Sequence, residues 1–448
     1  MPVFEWRSPM PASSWELFQY HKRAGAFERL APPWENIEVI RRTGSIKNGD
    51  ILEMAIRKGP AKVRWTALHE DYIEGERFVD VQTKGPFSHW RHTHNFLSET
   101  ENSALWDHIE WEPPLSILSR PFARLMFEPQ LKRMFRFRHR RTYYDLLRQR
   151  SYDGPPKTVV IAGGPNPLCE PLAAFLSTAG FRVFKLKSVP GGSFRFSSWF
   201  GEGPAFDPEQ TDAVILTGAP MDDDVASEAA WSHLEYLCGV LSTMHQKLPL
   251  LMHLVVKRPK MDQNTTNPGL DLHPSKINAS RANEQKRLDL IDRLGDGFNR
   301  EAQLYFGSLI RSPMGYLSQL LMRLETFLFL KDSARSPTFC WISLDDAVGA
   351  IHHLLCKADF EGELAVITPQ PATRADLQQA LIKRGLASYV GNRVLRVTHW
   401  SAPGKPAGMD PELLNMTPIS DLGFSCINKD IGEAVAHELG DGAPISEE

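Results

Sequence analysis

The stretch VVIAGGPNPLC, residues 159–169, decides how the larger part of this 448-residue chain folds. Val159 to Ala162 is an apolar strand running into Gly163-Gly164, and Pro171-Leu172-Ala173-Ala174-Phe175-Leu176 reads as the first turns of a helix. Strand, glycine turn and helix in that order open a nucleotide-binding βαβ unit, in which three spaced glycines turn the chain, admit a pyrophosphate and let the helix pack on the strand. Here the frame starting at Gly163 gives Gly163, Asn166 and Cys169, so two of the three glycines are replaced. Pro165 and Pro167 each remove an amide donor, and the Asn166 side chain takes space where a phosphate has to approach. The residues therefore predict the fold of such a unit with a weakened grip on its ligand.

Working outward, the chain after the linker SYDGPP (151–156) alternates strands and helices, the pattern of a parallel sheet covered on both faces. The expected strands are 158–162, 182–186, 213–216, 250–256, 303–310 and 364–367; a helix is expected within 314–330 and a closing one near 431–439. The first 150 residues read differently. Antiparallel strands are expected at 63–72, 77–82, 88–96 and 105–111, with helices at 13–29 and 122–150. A long helix across a curved antiparallel sheet encloses a pocket for an apolar ligand.

Three segments of the first part, APPWE (31–35), HEDYIEGERFVDVQTKGPFSHWRHTHNF (69–96) and LKRMFRFRHRRTYYDL (131–146), resemble the ligand-binding domain of the SRPBCC or START-like superfamily. In the second part, TDAVILTGAP (211–220), WISLDDAVGAIHHLL (341–355) and LGFSCINKDIGEAVAHEL (422–439) resemble atypical extended short-chain dehydrogenases of the NAD-dependent epimerase/dehydratase family. The resemblance implies an α+β helix-grip domain over 1–150, then an α/β Rossmann-like doubly wound parallel sheet over 157–448 with a small C-terminal module from about 365.

The second part departs from its family at the chemistry. The family's G-G-T-G-F-I-G turn falls on 163–169, where Gly163 and Gly164 remain, and its S-A-x-G-Y-Y-G segment falls on VVKRPKM (255–261), without Ser or Tyr. Short-chain dehydrogenases pair a tyrosine with a lysine four residues on to lower the phenol's pKa, and no tyrosine here has that lysine. The expectation is a small apolar-ligand-binding protein whose dehydrogenase-like part is non-catalytic, with no catalytic residue assigned. The alternative is an NADP-dependent oxidoreductase or epimerase with displaced catalytic groups.

Individual residues sharpen these expectations. Gly163, Gly164, Lys187 and Gly218 are the residues expected at a vestigial cofactor site, which would hold NADP weakly if it holds a cofactor at all. Lys185 and Lys187, at the end of the second strand, stand where a 2′-phosphate would sit, although a pair of solvated lysines is the plainer reading. Trp65, Trp90, His92 and His94 are expected to line the ligand cavity. His89, His92 and His94 lie in SHWRHTH, and His92 and His94 share a strand face, but no third ligand at fixed spacing accompanies them, so no metal is expected. Asp345 and Asp346 precede a helix and are expected to cap it. His352 and His353 point about 100° apart on that helix and cannot clamp one metal together.

Composition bounds the partners. Apolar residues make up 42% of the chain and the net charge is −3, so no electrostatic footprint for nucleic acid is expected. The basic run Lys132, Arg133, Arg136, Arg138, Arg140 and Arg141 is interleaved with Met134, Phe135 and Phe137 and reads as a cavity-covering helix. Five scattered cysteines without a C-x-x-C pair read as buried thiols of a reducing compartment. Without a signal sequence or membrane span, the expected location is cytoplasmic. The sequence leaves the oligomeric state open.

Overall fold

The structure is a computed structural model and describes residues 1–448 apart from 59–60, 101, 114–119, 164–165, 190–192, 201–204, 218–224, 242, 245, 256–293, 312–337, 358, 374, 378, 381–395, 399–410, 444 and 446–448. The expected helix within 314–330 lies outside the described residues. So do Gly164, Gly218 and all of the 255–261 segment beyond Val255.

The first part is one seven-stranded antiparallel sheet: β1 (Val3–Met10), β2 (Asn36–Arg42), β3 (Ile51–Lys58), β4 (Ala61–Ile73), β5 (Arg77–Lys84), β6 (His89–Ser98) and β7 (Ser103–Glu112). Their order is β1-β7-β6-β5-β4-β3-β2. β6 shows why the sequence alternates: Trp90, His92, His94 and Phe96 are buried while their neighbours are half-exposed. Register shifts at Val39/Arg41, Thr66/Ala67 and Glu70/Ile73 mark bulges, which bend strands and increase twist.

The helices follow local signals. α1 (Ser14–Lys22) starts on a capping box, with the Ser13 hydroxyl accepting from the Glu16 amide and the Glu16 carboxylate accepting from the Ser13 amide. The single helix expected over 13–29 is two, because the chain leaves helical geometry at Arg23 and Gly25 takes a φ of 88° before α2 (Ala26–Leu30). The glycine is also needed for space, since a Cβ there would lie 2.9 Å from the Phe200 ring. α3 (Arg120–Gln149) crosses the sheet, burying Phe135 and Phe137.

The second part is built on an eight-stranded sheet. It contains β8 (Thr158–Gly163), β9 (Arg182–Val189), β10 (Ser193–Ser198), β11 (Ala213–Thr217), β12 (Leu250–Val255) and β13 (Glu301–Phe306), then strands Gly362–Val366 and Thr417–Pro418. The order is β10-β9-β8-β11-β12-β13 followed by the last two, and every pairing is parallel except β10 on β9. Both faces of β8 are buried. Val159 and Ile161 pack with α4 (Cys169–Thr178) and the helix Leu344–Cys356, whereas Val160 and Ala162 pack with Leu237 and Cys238 of α5 (Val225–Leu241). The chain steps outward from β8 to β9 and then returns to β11 on the other side, so the strand order reverses at the end of β8, the position where sheets of this kind receive ligands.

The strand expected over 303–310 divides at Gly307. A Cβ there would come within 2.8 Å of the Trp341 amide, and the chain continues as Ser308–Arg311 in a separate small sheet. Among the described residues no helix is long and apolar enough to cross a membrane.

The two parts meet through buried charge. Arg29 of α2, 1% exposed, grips Asp145 of α3 with two 2.7 Å hydrogen bonds and lies 2.8 Å from Asp345. Arg141 lies 3.1 Å from Asp345 and 3.4 Å from Glu438, and His437 lies 2.7 Å from the same Asp345 oxygen. Burial favours the neutral acid, but Arg141 and Arg29 outweigh it and hold the Asp345 carboxyl well below the usual carboxylate range.

The expectation that Asp345 and Asp346 cap the helix needs correction. Ser343 is the N-cap, its hydroxyl accepting from the Asp346 amide. Asp346 instead accepts from Arg148 at 2.5 Å and from the amides of Ile427 and Asn428 at 2.7 and 3.2 Å. The two aspartates bind α3 and the C-terminal segment to the second sheet. The basic residues of α3 accordingly serve this contact as well as the cavity.

Candidate functional site

Between the seven-stranded sheet and α3 lies a cavity of about 420 Å³, within the usual range for small-molecule sites. Its apolar wall comes from residues the folding pattern turns inward, among them Trp65 and Ala67 of β4, Trp90 of β6, and Phe127, Leu131 and Met134 of α3. Trp65 and Trp90 meet edge to face with centroids 5.1 Å apart, a rigid aromatic corner that loses little rotamer freedom on binding. The four residues expected at the cavity, Trp65, Trp90, His92 and His94, all line it.

Four further polar residues, His69, Asp80, Asp107 and His139, gather around His92 and His94 and lie outside the sequence expectation. Asp80 of β5 pairs in register with His92 of β6, and Asp107 of β7 pairs with His94. His94 therefore stands between two carboxylates, Nδ1 2.7 Å from Asp107 Oδ1 and Nε2 3.3 Å from Asp80 Oδ2. His92 Nε2 lies 2.8 Å from Asp107, His139 of α3 reaches the other Asp107 oxygen at 2.6 Å, and His69 of β4 lies 3.0 Å from Asp80. The signal that could have found this cluster is strand register, which one sequence read strand by strand does not contain.

The cluster polarises its members in opposite directions. Burial together with the positive charge on His94 pushes His92 down to about 4. Burial also acts against a charged His94, but the Asp107 and Asp80 carboxylates override it and raise that pKa. Asp107 is pushed upward by burial and pulled down further by His94 and by hydrogen bonds from His139 and His92, so it remains ionised well below the usual range. The cavity thus combines a neutral and a charge-favoured imidazole a few ångströms from apolar walls, suited to a molecule that is mostly apolar with one polar end.

The turn after β8 presents a different picture. Gly163 has a φ of 117°, and a Cβ on it would fall on the Thr217 carbonyl oxygen, so strand packing explains this glycine. The Asn166 Oδ1 accepts from the Leu168 amide at 2.8 Å and its carbonyl accepts from the Cys169 amide at 3.1 Å. Residues 165, 167 and 171 are prolines, and Glu170 places a carboxylate in the first turn of α4, where it complements the helix dipole in place of an external anion. Burial pushes the Cys169 thiol up to about 11, and Cys356 and Cys426 to about 12, which leaves these thiols protonated.

Lys185 and Lys187 do not lie at a strand end as expected. β9 continues to Val189 as an antiparallel ribbon with β10, pairing Lys185 with Ser197 and Lys187 with Arg195. Lys185 sits 5.0 Å over the Trp199 ring, while Lys187 is exposed. His352 and His353 diverge as expected. The first is buried near Phe175 and Phe181, and the second lies 2.8 Å from the Leu422 carbonyl.

Comparisons with known proteins bear on both parts. Residues 10–135 match the family model described as polyketide cyclase / dehydrase and lipid transport, and the N-terminal part is a START-like domain of that type. The nucleoside-diphosphate sugar epimerase from Corynebacterium glutamicum is similar over 99% of this chain and 91% of its own, with a TM-score of 0.67 and 21% identity. That likeness extends the shared fold to the second part. The aromatase/cyclase Zhui from a Streptomyces species covers 33% of this chain and 94% of its own at 14% identity and a TM-score of 0.28. A START superfamily protein from Mycobacterium smegmatis covers 29% and 89% at 10% identity and a TM-score of 0.24. No curated protein matches the chain.

Proposed function

We propose that this protein binds a small apolar or amphipathic molecule in the START-like cavity, and that its second part is a degenerate, non-catalytic Rossmann-like domain of the extended short-chain dehydrogenase type. The observation that carries the first half is a cavity of about 420 Å³ with aromatic walls and a histidine–aspartate cluster on one side. The matching family's description, which includes lipid transport, supports an apolar ligand.

The second half rests on the turn after β8. The Leu168 and Cys169 amides are bonded within the chain, its prolines bring none, and its retained Gly163 is accounted for by Thr217. An NADP-dependent oxidoreductase or epimerase remains the competing reading, supported by the fold shared with the Corynebacterium epimerase.

Gentle purification followed by native mass spectrometry, with a parallel calorimetric titration of NADPH, tests both halves. The expected outcome is a co-purified apolar molecule released on denaturation, and no saturable heat from NADPH. An NADPH dissociation constant of about 1–10 μM, equivalent to roughly 7–8 kcal/mol of binding, would reinstate the oxidoreductase reading.

A further inference from the structure

We propose that Asp80, His92 and His94 form a divalent-metal site of zinc type on the inner wall of the cavity, with one coordination position open to the cavity. Each residue offers a ligand atom, and the three atoms lie within 4.8 Å of one another. The alternation of β6 puts both imidazoles on one face with ring centroids 3.8 Å apart, and the β5–β6 register brings the carboxylate beside them. His94 Nε2 and Asp80 Oδ2 are 3.3 Å apart, and two donors each 2.0–2.1 Å from a tetrahedral ion stand about 3.3 Å apart.

The surroundings match what a metal site needs beyond its ligands. His92 Nε2 and His94 Nδ1 lie 2.8 and 2.7 Å from Asp107, so the nitrogens offered to an ion are His92 Nδ1 and the His94 Nε2 that now faces Asp80, whose hydrogen bond the ion would replace. A carboxylate behind a ligating histidine fixes its tautomer and raises its basicity. Asp107 is 2% exposed and is itself held by His139. Within the cluster, Asp80 Oδ1 has His69 Nε2 3.0 Å away but no hydrogen bond of acceptable geometry, so this buried carboxylate oxygen is not satisfied by its neighbours.

A second grouping, Asp345, His437 and Glu438, meets the same distance criterion but is already occupied by protein cations, because Arg29 and Arg141 reach Asp345 and Arg141 reaches Glu438. At the cavity wall the partners of Asp80 are His69 and His94, both imidazoles. Three protein ligands with a fourth position facing a cavity is the arrangement of zinc sites that bind an exchangeable oxygen. The two-histidine, one-carboxylate set also suits other first-row divalent ions. This site does not depend on which molecule fills the apolar space.

The test is a calorimetric titration of chelator-treated, full-length protein with Zn²⁺ alone, repeated with Co²⁺ to read the visible absorption of a tetrahedral ion. The expected result is one equivalent per chain, abolished in Asp80→Asn and His94→Gln. Asp107→Asn, which leaves the three ligands in place, should weaken binding about 10–100-fold. Thermal melts show that each variant is folded. No stoichiometric uptake by the wild-type protein would overturn the proposal, and so would uptake that Asp80→Asn leaves unchanged.

Discussion

The inner wall of the seven-stranded sheet and the turn after β8 both occupy places where their folds receive small molecules, yet they use their polar groups in opposite ways. On the sheet wall, His92, His94 and Asp80 face a cavity. After β8, Asn166 takes the amides of Leu168 and Cys169 for the chain itself, and Glu170 supplies the negative charge that the helix start attracts. The two places differ in where their polar groups point once internal bonds are satisfied, and fold alone does not decide which of them binds a ligand.

The interface offers the strongest way to break this comparison, because it ties the two regions into one unit. Asp345→Ala would leave Arg29 and Arg141 buried without one of their shared partners, and removing one member of a buried charge cluster costs about 3–5 kcal/mol. Urea denaturation should show that loss, with the transition of the second part moving to lower urea first. A loss below about 0.5 kcal/mol, the range of surface substitutions, would mean that the parts are not coupled through this cluster.

Acid separates the two regions further. Burial depresses His352, in the second part, from 6.5 to about 3. The unfolded chain then takes up the proton first, so the contribution is complete above pH 6.5 and is lost progressively as pH falls from 6.5 toward 3. At pH 5 the loss is about 2 kcal/mol relative to pH 7. In the first part, burial likewise lowers His21 to about 3. His352→Leu should remove the acid sensitivity of the second part and leave that of the first. If His352→Leu leaves the difference between pH 5 and pH 7 stability unchanged, His352 is not buried as described.

The smallest effect concerns the turn. Asn166→Ala removes one side-chain hydrogen bond and should cost about 1 kcal/mol. It should not create NADPH binding, because the prolines remain. Thermal melting with and without NADPH checks both points, and a nucleotide-dependent rise in melting temperature for the variant would show that Asn166 alone had closed the site.

Much of the fold was legible because periodicity reports burial. The alternation of β4 to β7, the apolar runs of β8 and β11, and the closing helix Ile431–Glu438 were all read within a few residues. β1 to β3 were not assigned. β2 is an exposed edge strand with no residue fully buried, so its pattern carries little signal. The break at Gly25 depends on Phe200 and Ala174, residues about 150–175 positions away. Trp90, His92 and His94 were legible as one face of a strand. Asp80, Asp107 and His139 were not, since their proximity is set by register and by how α3 lies on the sheet. Asp345 looked like a helix cap because its partners Arg29 and Arg141 belong to the first part.

The claim that the START-like cavity is the ligand site is tested most directly by fluorescence titration of the intact protein with anilinonaphthalene sulfonate, comparing wild type with Ala67→Trp. Ala67 is 5% exposed and lies on the cavity wall, so the larger side chain occupies the space a ligand needs. The account predicts saturable, one-to-one binding by the wild type and an affinity lower by about tenfold or more in the variant, roughly 1.4 kcal/mol, with cooperative melting retained. Equal affinity in the two proteins, or no saturable binding by the wild type, would contradict it.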